Sequence, residues 1–572
     1  MNYKWDLSPL YSGPDDPAIS RDLNAALQMA EALSGSSRPI SQDPYEFLSL
    51  IKEYEEVLSL SLRAYTYAEL CLYCHVTDPT AKELYHQVRE RWIEVKERLR
   101  KVEARLTPGD GIPPGWFKTC PPLRPYKRWL KKLAALVSHQ PKDAKGVSKW
   151  KALLRRREEL LSRYRGLVSE TKTASGLSLS KAFSLLDDSK ASRCQELYGD
   201  ILDGAGQKRE EFARVLGSLV QNRLDEARLR GFPSPLKKLW LLNEMGEGFA
   251  KQVIQLVGTR YDIVRNYLAL VAKSIGARPF SIVDLHMLGG DKSWKGSPGD
   301  ALKLVSSIAG RLDPILSGLL DVLITRGCLD LEPRPTKRQG AICRALVPSI
   351  PPYIMMNYGG GWKDLATLVH EVGHAIHYML SSERGCLNFR PVPVLEETMA
   401  TFFEVLVLFE YFAREGKKGA GSIVMDRLIK ILFRQNIITE LELWLYQEGD
   451  TLTSLDAQEI SDQWLLLNRR LYGAEVEIPE PFGLSWALIP HIFERPFYCS
   501  NYVAASLLAL NLLNCEIQEP GNFPAKLIRL LRVGSSRPAP DILGELIPGL
   551  ENMAFLERAF AFMEKMLTGL GN

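Results

Sequence analysis

No apolar stretch in this chain is long enough to span a bilayer. The longest, such as Tyr502 to Leu513, stop at about a dozen residues where about 20 are needed. The opening MNYKWDLSPLY holds no apolar run of signal-peptide length, so a soluble, cytoplasmic protein is expected. An excess of one charge is also missing: 72 Lys and Arg against 68 Asp and Glu leave only +4, too little for a dedicated nucleic-acid binder. Two local basic runs, Arg124 to Lys132 and Arg155-Arg156-Arg157, are expected to be solvated helix faces. Disulfide-scaffold spacing is absent; the cysteines number nine, an odd count in keeping with reduced thiols. Cys71-Leu72-Tyr73-Cys74-His75 fits the spacing of c-type haem attachment, but that chemistry belongs to exported proteins, so structural cysteines are expected here. Histidine is scarce, with 8 in 572 residues, and its distribution is therefore informative.

Three of those eight, His370, His374 and His377, fall in one stretch, Leu365 to Leu380. The stretch has no proline and is apolar at helical spacing, which predicts a buried helix. Within it His370-Glu371-Val372-Gly373-His374 forms an H-E-x-x-H motif. Residues i and i+4 share a helix face, so His370 and His374 can offer two imidazole nitrogens to one ion. Glu371 sits beside that face, in reach of a water held at the ion's open position. The competing reading is two histidines and a glutamate on the wet side of an ordinary helix. The apolar neighbours Leu368, Val369, Val372, Ala375 and Ile376 count against it, because buried polar groups need partners.

A third ligand is needed. A metzincin would carry glycine and a last histidine where this chain has His377 and Leu380, so that class is excluded. The helical segment Val394 to Tyr411 carries Glu396, Glu397 and Glu404. Glu397 and Glu404 lie two turns apart on one face, which makes Glu397 the ligand candidate and Glu404 a partner that orients a ligating side chain. Glu396 projects elsewhere and is expected to be a solvated carboxylate at a helix start.

With these residues in hand the chain resembles the oligoendopeptidase F and thimet oligopeptidase family of zinc metallopeptidases. Trp5-Asp6-Leu7-Ser8-Pro9-Leu10-Tyr11 is similar to that family's start. Lys337 to Ala341 and Pro352 to Tyr358 are similar to its approach to the zinc helix, and Thr367 to His377 and Glu397 to Glu404 to its two ligand helices. His491, followed by Pro496-Phe497-Tyr498 and Tyr502, resembles its His/Tyr segment. The resemblance is weak over about 105–175, which is unusually basic.

The pattern along the chain is mostly helical, for example Asp43 to Val76, Pro79 to Leu106 and Lys149 to Thr171, with a Pro/Gly-rich break at Thr107 to Pro122. Cys328 to Leu331, Gly340 to Val347 and Tyr353 to Tyr358 read as strands of a small sheet, and everything after His370 reads as helix. The expected fold is mainly α, a multi-helix arrangement with a small β-sheet beside the zinc helix. The expected domains are a helical one over 1–188 and a catalytic one over 189–572. Gly359-Gly360-Gly361 permits close backbone approach, and Gly360 is the substrate-binding candidate; a plain loop is the alternative.

The resemblance implies a deep central channel and one Zn²⁺ per chain, held by His370, His374 and Glu397. It implies short peptides as substrates, cut at internal bonds by a zinc-activated water with Glu371 as general base. It points to His491 and Tyr498 as catalytic contacts, with Tyr498 as oxyanion donor, and to Tyr502 as a substrate contact. His377 either orients a ligating side chain or serves only the packing of the helix. A zinc carboxypeptidase on a similar fold, an inactive peptide-binding relative and a redox or haem protein using Cys71 and Cys74 stand as alternatives.

Overall fold

The computed structural model describes residues 3–35, 43–108, 111–188, 191–275, 280–286, 294–414, 420–448 and 456–571. The chain forms two compact units, each threaded from three segments. The first comprises Met1–Gln140, Lys292–Val407 and Cys515–Leu546; the second comprises Pro141–Asp291, Leu408–Asn514 and Ile547–Asn572. A division at 188/189 coincides with neither unit's limits, since Asp188 ends the helix Leu179–Asp188 within the second unit's first segment.

The first unit opens with three packed helices, Pro17–Gly35, Pro44–Cys74 and Pro79–Leu106. The last two start where the sequence signals it: Asp43 accepts from the Tyr45 N–H and Asp78 from the Thr80 N–H, each followed by proline at the first helical position. Phe47, Ile51 and Tyr54 meet Val95, Leu99 and Val102 in the core, and Ala26 and Ala30 let the first helix come close.

The small sheet lies in the same unit. Tyr353–Met355 is its middle strand, parallel to Leu329–Asp330 and antiparallel to Ile342–Arg344. The WDL start has a structural role here: the Trp5 indole donates to the Cys328 and Ile354 carbonyls at 3.0 and 2.8 Å, and the Asp6 N–H to the Gly327 carbonyl. Lys337 also serves the sheet. Its ammonium is fully buried, 2.8 Å from the Asp330 carboxylate and in hydrogen-bond range of the Asp330 and Met356 carbonyls. The burial is tolerable because charge and donors are all matched. Cys74 donates to Asp330 at 3.3 Å, and burial pushes its thiol up to about 12.

The second unit is helical too, with a two-stranded parallel pair, Phe280–Ser281 and Val476–Glu477. That pair corrects the expectation of helix alone after His370; two residues are too few to leave a period-two pattern. The Arg155–Arg157 run is not wholly solvated either. Arg157 reaches across from the helix Ala144–Glu170 to Glu226 at 2.6 Å and Asn222 at 3.1 Å on the helix Arg209–Leu229. No helix among the described residues is long and apolar enough to cross a membrane.

Candidate metal centre

The H-E-x-x-H residues lie on a helix that runs from Trp362 to Ser381 and packs on the strands Ile342–Arg344 and Tyr353–Met355. Its start is fixed by Asp364, whose carboxylate accepts the N–H groups of Gly359 and Gly361. Gly360, between them, has φ +94, and its carbonyl accepts the Gly296 N–H at 3.2 Å. The glycine therefore has a local reason, a backbone conformation that L side chains rarely adopt.

The second ligand helix, Pro393–Arg414, crosses the first at Gly373. A Cβ there would stand 2.8 Å from the Ala400 Cα. Only glycine permits this approach, and the approach sets how near Glu397 comes to the two histidines. Gly373→Ala should therefore destabilise the protein by about 1–3 kcal/mol and weaken metal binding at the same time. Thermal unfolding and a competitive chelator titration check both, and an unchanged affinity would show that the crossing does not set the site.

One nitrogen from His370, one from His374 and one oxygen from Glu397 all lie within 4.8 Å of one another. Glu397 Oε2 is 3.3 Å from His370 Nε2 and 3.8 Å from His374 Nε2. Ligands bonded tetrahedrally at about 2.0–2.1 Å stand roughly 3.3 Å apart; the His370–Glu397 spacing matches that separation and the His374–Glu397 spacing is somewhat wider. On the other side of the His370 ring, Nδ1 lies 3.2 Å from the Glu404 carboxylate, which is fully buried. This carboxylate contact directs Nε2 toward Glu397, as outer-shell carboxylates do at zinc sites.

Burial works against charge on His370, but the Glu397 and Glu404 carboxylates prevail and hold the ring's pKa up at about 10. Burial takes His374 down to about 4, and its Nδ1 has no hydrogen-bond partner among the described residues. Burial also raises Glu371 to about 7, while the Cys343 N–H donates to its carboxylate. A metal must therefore displace one proton, from His370, at neutral pH. Its apparent affinity should rise about tenfold per pH unit toward pH 10, because only the neutral ring can bind. Calorimetry in buffers of different ionisation enthalpy checks this, with one proton released per metal as the expected count.

His377 is fully buried, held neutral by that burial at about 3, with neither ring nitrogen hydrogen-bonded among the described residues. Glu396 is corrected: it is 6% exposed and ion-paired with Arg390 at 3.1 Å, not solvated. Arg390 also lies over the Tyr378 ring, which stacks on His374 with centroids 6.2 Å apart. Neither Arg390 nor Cys343 was singled out from the sequence; both lie on irregular or short segments where no period marks a face.

His491, Tyr498 and Tyr502 belong to the second unit and form a cluster of their own. The Tyr498 and Tyr502 rings meet edge to face at 5.5 Å, His491 meets Tyr502 at 6.0 Å, and the Arg495 guanidinium lies 5.3 Å from the Tyr498 ring.

Comparison with known proteins adds four observations. Residues 319–562 match the model of "Peptidase family M3". The chromosomal oligoendopeptidase F of Lactococcus lactis subsp. cremoris is 22% identical over 398 residues, which are 68% of this chain and 65% of that one. The group B oligopeptidase PepB of Streptococcus agalactiae is 21% identical over 596 residues, 100% of this chain and 97% of the other. In fold, the chain is similar to the crystal structure of oligoendopeptidase-F from Enterococcus faecium, with a TM-score of 0.71, 18% identity, and 96% and 97% of the two chains covered.

Proposed function

The chain belongs to peptidase family M3, and on that premise we propose that it is a zinc-dependent oligoendopeptidase that hydrolyses internal bonds of short peptides. The observation that carries this reading is the convergence of His370, His374 and Glu397, with Glu371 on the same helix and Glu404 behind His370. Two imidazoles and a carboxylate are a zinc donor set with a position to spare. Bound there, zinc would supply Lewis acidity to a water and to the scissile carbonyl.

The protein's residues do the rest. Glu371 takes the proton of the attacking water and passes it to the leaving amine; a carboxyl poised at about 7 suits both halves of that transfer. Glu404 keeps the His370 ring in one orientation. Tyr498 donates to the developing oxyanion, and losing such a donor typically costs on the order of 10²–10³ in rate. His491, Tyr502 and Gly360 contact the peptide. His377 supports the helix from its buried side.

The test is cleavage of a peptide pool of roughly 5 to 30 residues beside an unfolded protein, read by mass spectrometry with and without a zinc chelator. Chelator-sensitive internal cuts confined to short peptides are expected. Loss of single C-terminal residues would instead mark a carboxypeptidase, and no cuts at full metal occupancy would mark a peptide-binding relative.

A further inference from the structure

The segment that carries His491 and Tyr498 is held by its backbone at two places, by side chains distant in sequence. Arg223, 4% exposed on the helix Arg209–Leu229, donates to the Ile492 carbonyl at 3.2 Å, to the Phe493 carbonyl and to the Tyr446 hydroxyl at 3.1 Å. Glu442, fully buried on the helix Arg434–Glu448, accepts the Phe497 N–H at 2.7 Å. Phe497 is one of three described non-glycine residues with positive φ, at +61. A bulky residue adopts that conformation only where its surroundings enforce it. The enforcers here are visible: Glu442 on its N–H, Ser500 Oγ and the Ser500 N–H on its carbonyl, and the Tyr446 ring 4.9 Å from its own. The residue so constrained stands directly before Tyr498, whose N–H closes a turn onto the Arg495 carbonyl at 3.1 Å.

We infer that Glu442 and Arg223 are positioning residues: they fix the strained turn at Phe497 and thereby preset the Tyr498 hydroxyl for the reaction. Strain concentrated at one residue beside a functional side chain is the pattern expected when geometry is fixed in advance of substrate binding. Glu442 acts through its acceptor oxygen and not through charge. Burial pushes its carboxyl up to about 8 even with the Phe497 N–H and the Arg223 guanidinium drawing it down. The neutral amide of glutamine should therefore do the same work.

The inference rests on the reading of Tyr498 as oxyanion donor, and a double-mutant cycle on the zinc-loaded full chain separates the two. Tyr498→Phe should lower kcat by on the order of 10²-fold. Glu442→Leu, which removes the acceptor, should lower kcat by about 10-fold to 10²-fold with KM within about threefold. Glu442→Gln should restore kcat to within about threefold of wild type, a rescue that a merely space-filling role would not distinguish from leucine. In the Tyr498→Phe background, Glu442→Leu should cost little more, because the group it positions is already gone. If leucine does not give folded protein by near-UV circular dichroism, Glu442→Asp, which retracts the acceptor by one methylene, must show the same loss in kcat alone. Loss carried by KM, effects that multiply in the double variant, or a silent Glu442→Leu beside a damaging Tyr498→Phe overturn the inference alone. A silent Tyr498→Phe overturns the oxyanion reading, and the inference falls with it.

Discussion

Replacing Glu371 with glutamine lowers kcat by roughly 10²–10⁴-fold, about 2.7–5.5 kcal/mol on the barrier, and leaves the metal in place. Glutamine fills the same volume and can still accept the Cys343 N–H through its carbonyl, so the strand and helix keep their contact. It is not among the residues whose donors converge, so metal stoichiometry is unchanged. It cannot take a proton, so the step assigned to Glu371 is lost and KM is not. Metal content by atomic absorption beside steady-state kinetics reads both halves; activity within tenfold of wild type would remove Glu371 from the mechanism.

The same substitution has a second, opposite effect. Burial raises the Glu371 carboxyl from its ordinary range to about 7. Between about pH 4.5 and 7 the unfolded chain has lost this proton while the folded chain keeps it. Rising pH therefore withdraws stability through that window, on the order of a few kcal/mol in metal-free protein. Glutamine escapes this cost. Metal-free Glu371→Gln should melt higher than wild type at pH 8 and no higher at pH 4, so the site trades stability for a poised base.

How much of this was legible in sequence depends on how far apart the cooperating residues lie and whether a period marks them. The H-E-x-x-H helix and the Glu397 helix are legible because i, i+4 and i, i+7 spacings place side chains on one face, and the observed helices, Trp362–Ser381 and Pro393–Arg414, contain the expected stretches. The three strands were found at their places but are shorter than expected, since flanking apolar residues extend the pattern beyond the hydrogen-bonded core. Glu396 departs from the expectation because its partner, Arg390, precedes the helix in an irregular segment; position on a helix predicts direction, but burial depends on what the preceding loop supplies. Lys337 has no local signal of its own, because its reason, two strand carbonyls and Asp330, exists only once the sheet has formed. Glu442 and Phe497, 55 residues apart, left no local signal at all. Local spacing thus points to the candidate ligands and to Glu404 behind one of them, while partners supplied by distant segments, such as Arg390 and Glu442, become visible only in three dimensions.

Replacing Glu397 with alanine should abolish activity by a different route, through loss of the metal. Removing an outer partner such as Glu404 typically costs about 10–100-fold in metal affinity; removing one of three donors must cost more, because two imidazoles alone leave half of a tetrahedral shell to solvent. Glu396 cannot substitute easily. Its carboxylate is engaged by the Arg390 guanidinium at 3.1 Å, and releasing it would strand a half-buried arginine. The proton balance gives an independent check. Glu397 is the first of the two carboxylates that hold His370 up at about 10, so without it the ring gives up its proton more readily in the metal-free site. Residual metal binding by Glu397→Ala should then release less than one proton near neutral pH, against one for wild type. Stoichiometric metal retained by Glu397→Ala through gel filtration would transfer the ligand role to another carboxylate.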